Sequence, residues 1–240
     1  MVAYSNNGLF IAGTDTEVGK TFVSAILLRI LRRQGINATY FKPVATGCPA
    51  GRGLLPEDLA FVQDLAGVEL SEPHHCPIRY EKPLAPMAAA ELEGRPVSVE
   101  EIIRAFDALR KRSPFLIVEG VGGVMVPLGK DYLLIDLMEQ FGLPCLVVAR
   151  PSLGTINHTL LSIRALQNKS ITVLGFVTNG KKDPTDEAAA TSPSLISRFS
   201  GIPFLGHIPI FRPEAEPIDA FIESKAPFLY DFIGAFAACP

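Results

Sequence analysis

The amino-acid sequence predicts an α/β fold in which helices cover both faces of one doubly wound, mostly parallel sheet. Short runs of residues that are apolar on both faces alternate along the chain with longer stretches of helical periodicity. This alternation is expected where crossover helices cover the strands of a parallel sheet. Neither an internal repeat nor a low-complexity linker interrupts it, so we expect residues 1–240 to form a single domain.

Six strands are predicted from these apolar runs. Each run is short and bounded by glycine, proline or polar residues, as strands of a covered sheet are. The predicted strands span residues 8–12, 38–44, 114–119, 143–149, 171–178 and 203–208.

Helices are predicted between these strands. The apolar residues of the first helix recur at helical spacing from Phe22 to Ile30, and Gly35 is expected to end it. In "SVEEIIRAF", Ser98 is expected as the N-cap with Glu101 three residues later, the pattern of a capping box. Further helices are expected near residues 57–66, 131–141, 155–168, 192–200 and 226–236.

Composition and charge narrow the classes of function. Hydrophobic residues make up 48% of the chain, which is typical of a compact protein. A net charge of −3 gives no general attraction for nucleic acid, and no apolar run approaches the roughly 20 residues of a membrane-spanning helix. No basic residue precedes Lys20, and the cysteines are scattered, with Cys145 inside an apolar run. We therefore expect no signal peptide, no nucleic-acid or membrane partner, and a cytoplasmic location.

The stretch "GTDTEVGKT" (residues 13–21) lies between the first predicted strand and the first helix. It fits the phosphate-loop pattern G-x-x-x-x-G-K-[ST], except that Thr14 stands where the first glycine is expected and Gly13 lies one residue earlier. Backbone amides and the helix dipole favour anions at such a turn. We expect Lys20 to reach the β- and γ-phosphates of a nucleotide and Thr21 to bind Mg²⁺. The alternative is a helix start that contains Gly-Lys-Thr by chance.

The loop and several later segments together resemble the dethiobiotin synthetases. Residues 13–21 match that family's G-T-D-T-x-V-G-K-T throughout, so the extra residue is normal there. "FKPVATG" (41–47) is similar to K-P-V-x-[ST]-G, "VEGVGGVMVPL" (118–128) to V-E-G-x-G-G-x-x-x-P-L, and "LGTINH" (153–158) to L-G-[CT]-I-N-H. "GFVTNG" and "LGHIP" resemble the family's segments for the nucleotide base. The matches follow the family order at plausible spacing.

The resemblance implies a P-loop NTPase fold and an ATP- and Mg²⁺-dependent enzyme of biotin biosynthesis. In this family one amine of 7,8-diaminopelargonic acid captures CO2 as a carbamate, and ATP phosphorylates that carbamate. The second amine then displaces phosphate to give dethiobiotin. A homodimer is also implied, because residues 153–157 would bind the substrate's far carboxylate from the neighbouring subunit.

The resemblance also assigns site residues. The catalytic cations would be Lys42 and Lys20, and the metal ligands Thr21, Asp58 and Glu119. The residues implied for nucleotide binding are Thr16, Glu17, Val18, Gly19, Lys20, Thr21, Asp58, Glu119, Gly120, Gly122, Asn179 and Pro209. The residues implied for substrate binding are Thr46, Gly120, Val121, Leu153, Gly154, Thr155 and Asn157.

Simpler interpretations exist for three of these residues. Glu119 ends a strand at the sheet edge where ligands bind, but a carboxylate there also caps the amides of a following turn. Asp58 suits the first turn of a helix, and adjacent Glu57 competes with it for the metal because the preceding loop matches the family loosely. Lys42 could instead be a surface residue with its charge in water.

His74, His75 and Cys76 form a second cluster that invites a metal-site interpretation. No second Cys/His pair stands at ligand spacing, and Pro73 and Pro77 flank the cluster. We therefore expect a surface loop without a metal.

Three other classes of protein share the predicted fold or part of it. Switch ATPases of the partitioning and nitrogenase iron-protein type carry a second lysine near the loop's start, where this chain has Asp15. Amidotransferring cobyrinate amidases add a glutaminase domain, for which we expect the chain to be too short. A nucleotide-dependent regulator without catalytic activity stays open at this point.

Overall fold

The computed structural model describes residues 8–50, 54–71, 73–181 and 186–237. The strands, numbered in chain order, are β1 (Gly8–Gly13), β2 (Ala38–Phe41), β3 (Val44–Ala45), β4 (Ile78–Arg79), β5 (Phe115–Gly123), β6 (Pro127–Gly129), β7 (Tyr132–Leu133), β8 (Cys145–Ala149), β9 (Val173–Asn179) and β10 (Phe204–Ile208). The helices are α1 (Lys20–Arg33), α2 (Glu57–Ala66), α3 (Pro86–Glu93), α4 (Val99–Arg110), α5 (Leu134–Phe141), α6 (Thr155–Asn168), α7 (Glu187–Ser200), α8 (Ile218–Lys225) and α9 (Phe228–Ala237).

A six-stranded parallel sheet forms the centre of the molecule. Its strands follow the order β10-β9-β8-β1-β5-β2, and each neighbouring pair is parallel. All six predicted strands lie in this sheet, so the predicted fold class is confirmed. The predicted strand 38–44 is shorter than expected, because β2 ends at Phe41 before Pro43, which cannot donate to a strand ladder.

Helices cover both faces of the sheet. Successive residues of β1 point to opposite faces, so Leu9 and Ile11 join one apolar core while Phe10 and Ala12 join the other. Buried residues of α1, α2, α8 and α9 pack on the first face, and those of α3 to α7 pack on the second. Burying each large apolar side chain contributes about 1.5–3 kcal/mol, so these two layers supply the main driving force of the fold.

Two helices were not predicted, and two others differ at their starts. Helix α3 has a proline in its first turn and ends at Gly94, but its alanine-rich sequence lacks the amphipathic period used to find helices. Helix α8 was also missed, although a bidentate ion pair from Asp219 to Arg29 of α1 holds it in place. Helix α7 begins at residue 187 instead of 192, because the Asp186 side chain caps this earlier start. Pro193 therefore lies inside the helix. Helix α5 begins at 134 instead of 131.

Other local predictions are confirmed. The Ser98 hydroxyl accepts a hydrogen bond from the Glu101 amide, so Ser98 is the N-cap of α4. The thiol of Cys145 is buried, and burial raises its pKa to about 12. Within the described residues, no helix has both the length and the apolar character needed to cross a membrane.

Candidate active site

The phosphate loop connects β1 to α1 at the carboxyl edge of the sheet. Gly19 adopts a left-handed conformation with φ of 91° and Lys20 begins the helix, so the predicted strand–loop–helix context is confirmed. A Cβ atom at Gly13 would lie 2.9 Å from the Lys20 ammonium. The side chain of Lys20 therefore folds back over Gly13, which explains why the glycine stands at residue 13 although the common pattern places it at residue 14.

Lys20 is held inside this loop. Its ammonium donates a hydrogen bond of 2.8 Å to the Asp15 carbonyl, and only 6% of the residue is exposed. Burial, helped by the positive charge of Lys42, lowers the pKa of Lys20 to about 8. The side chain therefore still carries its positive charge at neutral pH, and an anionic ligand would favour that charged form.

A cluster of ionised side chains lies beside the loop. The ammonium of Lys42 is 2.8 Å from Asp58 Oδ2 and 2.6 Å from Glu119 Oε1. The Thr21 hydroxyl is 3.0 Å from Asp58 Oδ1 and 2.9 Å from Glu119 Oε1. Residues from α1, α2, β5 and the end of β2 thus meet at one point.

Lys42 is buried, with 4% of the residue exposed, so the interpretation as a solvated surface lysine is wrong. Burial by itself would lower the pKa of Lys42, but the charges of Glu119 and Asp58 outweigh it and raise that pKa. Burial likewise works against ionisation of Asp58, yet Lys42 and Thr21 hold its pKa below the usual value. Lys42 and Asp58 therefore stabilise each other's charged form.

The donor set fits Mg²⁺. Two carboxylates and a hydroxyl converge within hydrogen-bond distance, and Mg²⁺ prefers such hard oxygen ligands. The described residues contain no group of three or more His, Cys, Asp or Glu able to hold a metal, so nucleotide oxygens or waters would have to complete the shell. Glu119 contacts Thr21 and Lys42, so its role is not merely to cap the next turn. Of the two competing acids, Asp58 contacts Thr21 and Lys42, whereas Glu57 is exposed.

Tyr40 is a member of the cluster that the sequence analysis missed. Its hydroxyl donates a hydrogen bond of 2.7 Å to Glu119 Oε2, and its side chain is fully buried. Burial, followed by the negative charge of Glu119, raises the pKa of Tyr40, so the hydroxyl keeps its proton. The period of two along β2 places Tyr40 on the same side as Lys42, which is the sequence signal that could have identified it.

Of the two segments expected near the nucleotide base, the one that contains Asn179 contacts the phosphate loop, and the other pairs with it. The side-chain Nδ2 of Asn179 donates a hydrogen bond of 3.1 Å to the Val18 carbonyl. A Cβ at Gly19 would lie 1.9 Å from this nitrogen, so only glycine leaves room for the Asn179 side chain there. The Asn179 Oδ1 is buried without a hydrogen-bond partner among the described residues. Pro209 directly follows β10, whose Ile208 carbonyl accepts a hydrogen bond from the Gly180 amide.

The segment expected to bind the substrate's carboxylate starts α6. Gly154 is its N-cap with φ of 90°, and Leu153 is 82% exposed. Thr155 differs from its neighbours, because its side chain is buried and its amide donates to the Ser152 carbonyl. The helix start therefore leaves the amides of residues 156 and 157, and not that of Thr155, for an anion.

Of the remaining predicted substrate residues, Gly120 lies beside Lys42, whose ammonium is 3.5 Å from the Gly120 carbonyl. Thr46 is half-buried, as is Val121. Gly120 is packed so closely that a Cβ there would lie 3.0 Å from Leu134, and Gly122 has φ of 61°. These two glycines let the last residues of β5 pass close to neighbouring side chains beside the cluster.

Arg150, which follows β8, is a second residue that the sequence analysis missed. Its guanidinium lies 2.9 Å from His158 Nδ1 in α6 and 3.8 Å from the carboxylate of Asp15 in the phosphate loop. Arg150 thereby links the loop to the helix that begins at Thr155. A lone arginine after a strand carries no spacing signal that could have identified it.

The cluster of His74, His75 and Cys76 is only partly the expected surface loop. His74 is exposed, but Cys76 is fully buried. The His75 carbonyl accepts a hydrogen bond of 2.8 Å from the Lys42 amide. The segment therefore supports the backbone of Lys42 at the sheet edge.

Comparison with known proteins places this chain in a family. The family described as "AAA domain" matches residues 7–216. The ATP-dependent dethiobiotin synthetase BioD of Thermodesulfovibrio yellowstonii is 42% identical over 84% of this chain and 88% of its own. That of Methanococcus vannielii is 41% identical over 90% of this chain and 97% of its own. The chain belongs to the dethiobiotin synthetase family.

Solved structures with this fold include members of a different class. The cell-division protein MinD of Pyrococcus horikoshii, complexed with Mg-ADP, has a TM-score of 0.57 at 16% identity, covering 97% of both chains. The MinC:MinD complex of Aquifex aeolicus gives a TM-score of 0.56 at 14% identity, covering 98% of both chains. At such identity the likeness concerns the fold alone. Membership of the dethiobiotin synthetase family confirms the expected ATP-dependent enzyme class.

Replacing Lys20 tests the phosphate loop. We expect Lys20→Ala to lower ATP turnover at least about hundredfold, because it removes the cation beside the transferred phosphoryl group, while the melting temperature changes little. Steady-state turnover and circular dichroism measure both effects. Lys111→Ala, at an exposed lysine, is the matched control. Normal turnover by a folded Lys20→Ala protein would refute the assignment of the loop.

Proposed function

We propose that the protein catalyses the ATP- and Mg²⁺-dependent closure of the ureido ring of dethiobiotin from 7,8-diaminopelargonic acid and CO2, in biotin biosynthesis. The observation that carries the proposal is the buried ammonium of Lys42 between two carboxylates that both contact Thr21 at the start of α1. The relatives at about 40% identity that cover most of both chains carry the name of this activity.

The chemistry requires positioning and positive charge more than a protein nucleophile. One amine adds to CO2 and loses a proton to form a carbamate, whose oxygen then attacks the γ-phosphorus of ATP and releases ADP. The second amine attacks the carbamate carbon, closes the ring and releases phosphate. Negative charge accumulates on the transferred phosphoryl group, so nearby cations stabilise the transition state.

Lys20 and Lys42 supply these cations. Lys20 lies in the loop that would hold the phosphates, and Lys42 lies at the end of β2 beside it. Because its carboxylate neighbours raise the pKa of Lys42, this lysine acts as a fixed positive charge. It would not serve as the base that removes a proton from the amine.

Thr21, Asp58 and Glu119 are the residues that would hold Mg²⁺, whose charge would offset that of the β- and γ-phosphates. The buried, unpartnered Asn179 Oδ1 would accept a hydrogen bond from an amino group of the nucleotide base. Thr16, Glu17 and the rest of the loop would surround the phosphates with backbone amides.

A groove of about 350 Å³ next to the loop fits the alkyl chain of the substrate. Its walls are largely apolar, and they run from Thr14 past residues 123–127 to Leu161 and Ser162 of α6. The groove thus runs from the phosphate loop to the middle of α6, and the first amides of α6 from the neighbouring subunit would bind the far carboxylate. A homodimer would cover the exposed apolar side chains beside this groove, Met125, Leu153 and Leu161.

A product assay tests the proposal directly. With diaminopelargonate, bicarbonate and MgATP, we expect stoichiometric formation of dethiobiotin, ADP and phosphate, measured by mass spectrometry and phosphate release. Omission of diaminopelargonate should suppress ATP turnover. ATP hydrolysis that is independent of diaminopelargonate, without dethiobiotin, would instead indicate a switch ATPase.

Replacing Lys42 separates chemistry from nucleotide binding. We expect Lys42→Gln to reduce dethiobiotin formation by about a thousandfold or more, while the Kd for ATP changes less than about tenfold, because the loop holds most of the nucleotide. The variant should also be less stable, since the buried Glu119 carboxylate and the partly exposed Asp58 carboxylate lose their partner. Calorimetric titration and initial rates are measured below the melting transition, with exposed Lys82→Gln as the control. Equal losses of affinity and turnover would assign Lys42 to nucleotide binding alone.

A paired substitution decides which acid serves the metal. We expect Asp58→Asn to raise the Mg²⁺ concentration for half-maximal turnover about tenfold or more, because it removes an anionic oxygen ligand. Glu57→Gln changes the adjacent, exposed acid and should leave the Mg²⁺ titration unchanged. The opposite pattern would move the metal site to Glu57.

A further inference from the structure

Tyr40 and Glu119 form a buried contact that the proposed chemistry does not itself require. Tyr40 lies on β2 opposite Ile117, and Glu119 follows two residues later on the neighbouring strand β5. A diagonal pair of this kind lies on one face of the sheet, within reach of a long side chain. The resulting hydrogen bond joins the Tyr40 hydroxyl to Glu119 Oε2 at 2.7 Å.

The two oxygens of Glu119 have different partners. Oε1 accepts hydrogen bonds from Thr21 at 2.9 Å and from Lys42 at 2.6 Å, while Oε2 accepts the one from Tyr40. The residue is 1% exposed, so water does not readily replace any of these donors. A short O–H···O⁻ bond is among the stronger hydrogen bonds in proteins, and it defines the plane of the carboxylate.

We propose that Tyr40 is a positioning residue that fixes the rotation of the Glu119 carboxylate, so that Oε1 alone is presented to a metal beside Thr21. The inference rests on the proposed Mg²⁺ site. Without the hydroxyl, the carboxylate would rotate about its last bond and Oε2 would turn toward Lys42 or the metal. The metal would then bind a ligand that is not held in place.

A second buried tyrosine of the same chain provides a matched control. Tyr80 is also fully buried, and its hydroxyl donates a hydrogen bond of 2.7 Å to the Arg95 carbonyl, a partner outside the cluster of Lys42, Asp58 and Glu119. Tyr80→Phe therefore removes the same group from a similarly buried position. It reports what the loss of a buried hydroxyl does to stability alone.

The experiment measures the effect of Mg²⁺ on ADP binding. Calorimetric titrations with ADP are made in EDTA and at increasing Mg²⁺ for the wild type, Tyr40→Phe and Tyr80→Phe. We expect Tyr40→Phe to raise the Mg²⁺ concentration for the half-maximal gain in affinity about 10- to 100-fold, the usual effect of removing a group that orients a metal ligand. The Kd in EDTA should change less than about twofold, and Tyr80→Phe should change neither quantity.

A double-mutant cycle with Glu119→Gln tests whether Tyr40 acts through Glu119. In the Glu119→Gln background, Tyr40→Phe should have no further effect on the Mg²⁺ titration. This comparison also serves if Tyr40→Phe alone does not fold, because Glu119→Gln removes the carboxylate whose Oε2 the single variant leaves without a donor. An effect that persists in this background would overturn the inference.

The outcomes separate this inference from the proposed function. If Mg²⁺ increases the ADP affinity of the wild type, and Tyr40→Phe shows the same Mg²⁺ dependence, the role of Tyr40 is overturned and the metal site stands. ADP binding by the wild type that is independent of Mg²⁺ would overturn the metal site and the role of Tyr40 together. The titrations use no diaminopelargonate, so they do not depend on the identity of the substrate.

Discussion

The ion cluster around Lys42 is the interaction on which the rest of the site depends. Two carboxylates at a buried edge repel each other, and a lone buried ammonium would lose its proton. The contacts of Lys42 with Asp58 and Glu119, at 2.8 and 2.6 Å, resolve both problems together. Lys42 thereby favours the charged form of Asp58, the form in which that side chain would bind a divalent cation.

The sheet order brings these groups together from distant parts of the chain. Strand β1 lies between β5 and β8, so the carboxyl ends of adjacent parallel strands place the phosphate loop, Glu119 and Arg150 side by side. The neighbouring strand β2 adds Lys42 and Tyr40. A shift of one residue in the pairing of β2 with β5 would turn Tyr40 away from Glu119, so register itself specifies the site.

Sequence patterns predicted the features of the fold that depend on residues close together in the chain. The six sheet strands are apolar on both faces, and the phosphate loop follows one of them, so both could be predicted from short windows. The period of two along β2 could place Tyr40 on the side of Lys42, but its hydrogen bond could not be predicted from a short window, since the partner Glu119 lies 79 residues away. The side chain of Thr155 faces inward because of Thr159 one turn later, and helix α8 depends on its ion pair with α1. Such features are set by tertiary contacts, which override local preference.

The same fold also carries switch ATPases, so the fold by itself does not determine the chemistry. In this chain the position of their second loop lysine is Asp15, whose carboxylate faces Arg150 at 3.8 Å. The second cation is instead Lys42, which enters from β2, on the other side of β5 from the loop strand. A lysine in the loop would lie on the nucleotide, whereas the Lys42 ammonium also lies 3.5 Å from the Gly120 carbonyl, directly after Glu119. Under the proposed function, this positive charge would lie where a second substrate meets the γ-phosphate, an arrangement that a ligase needs and a switch does not.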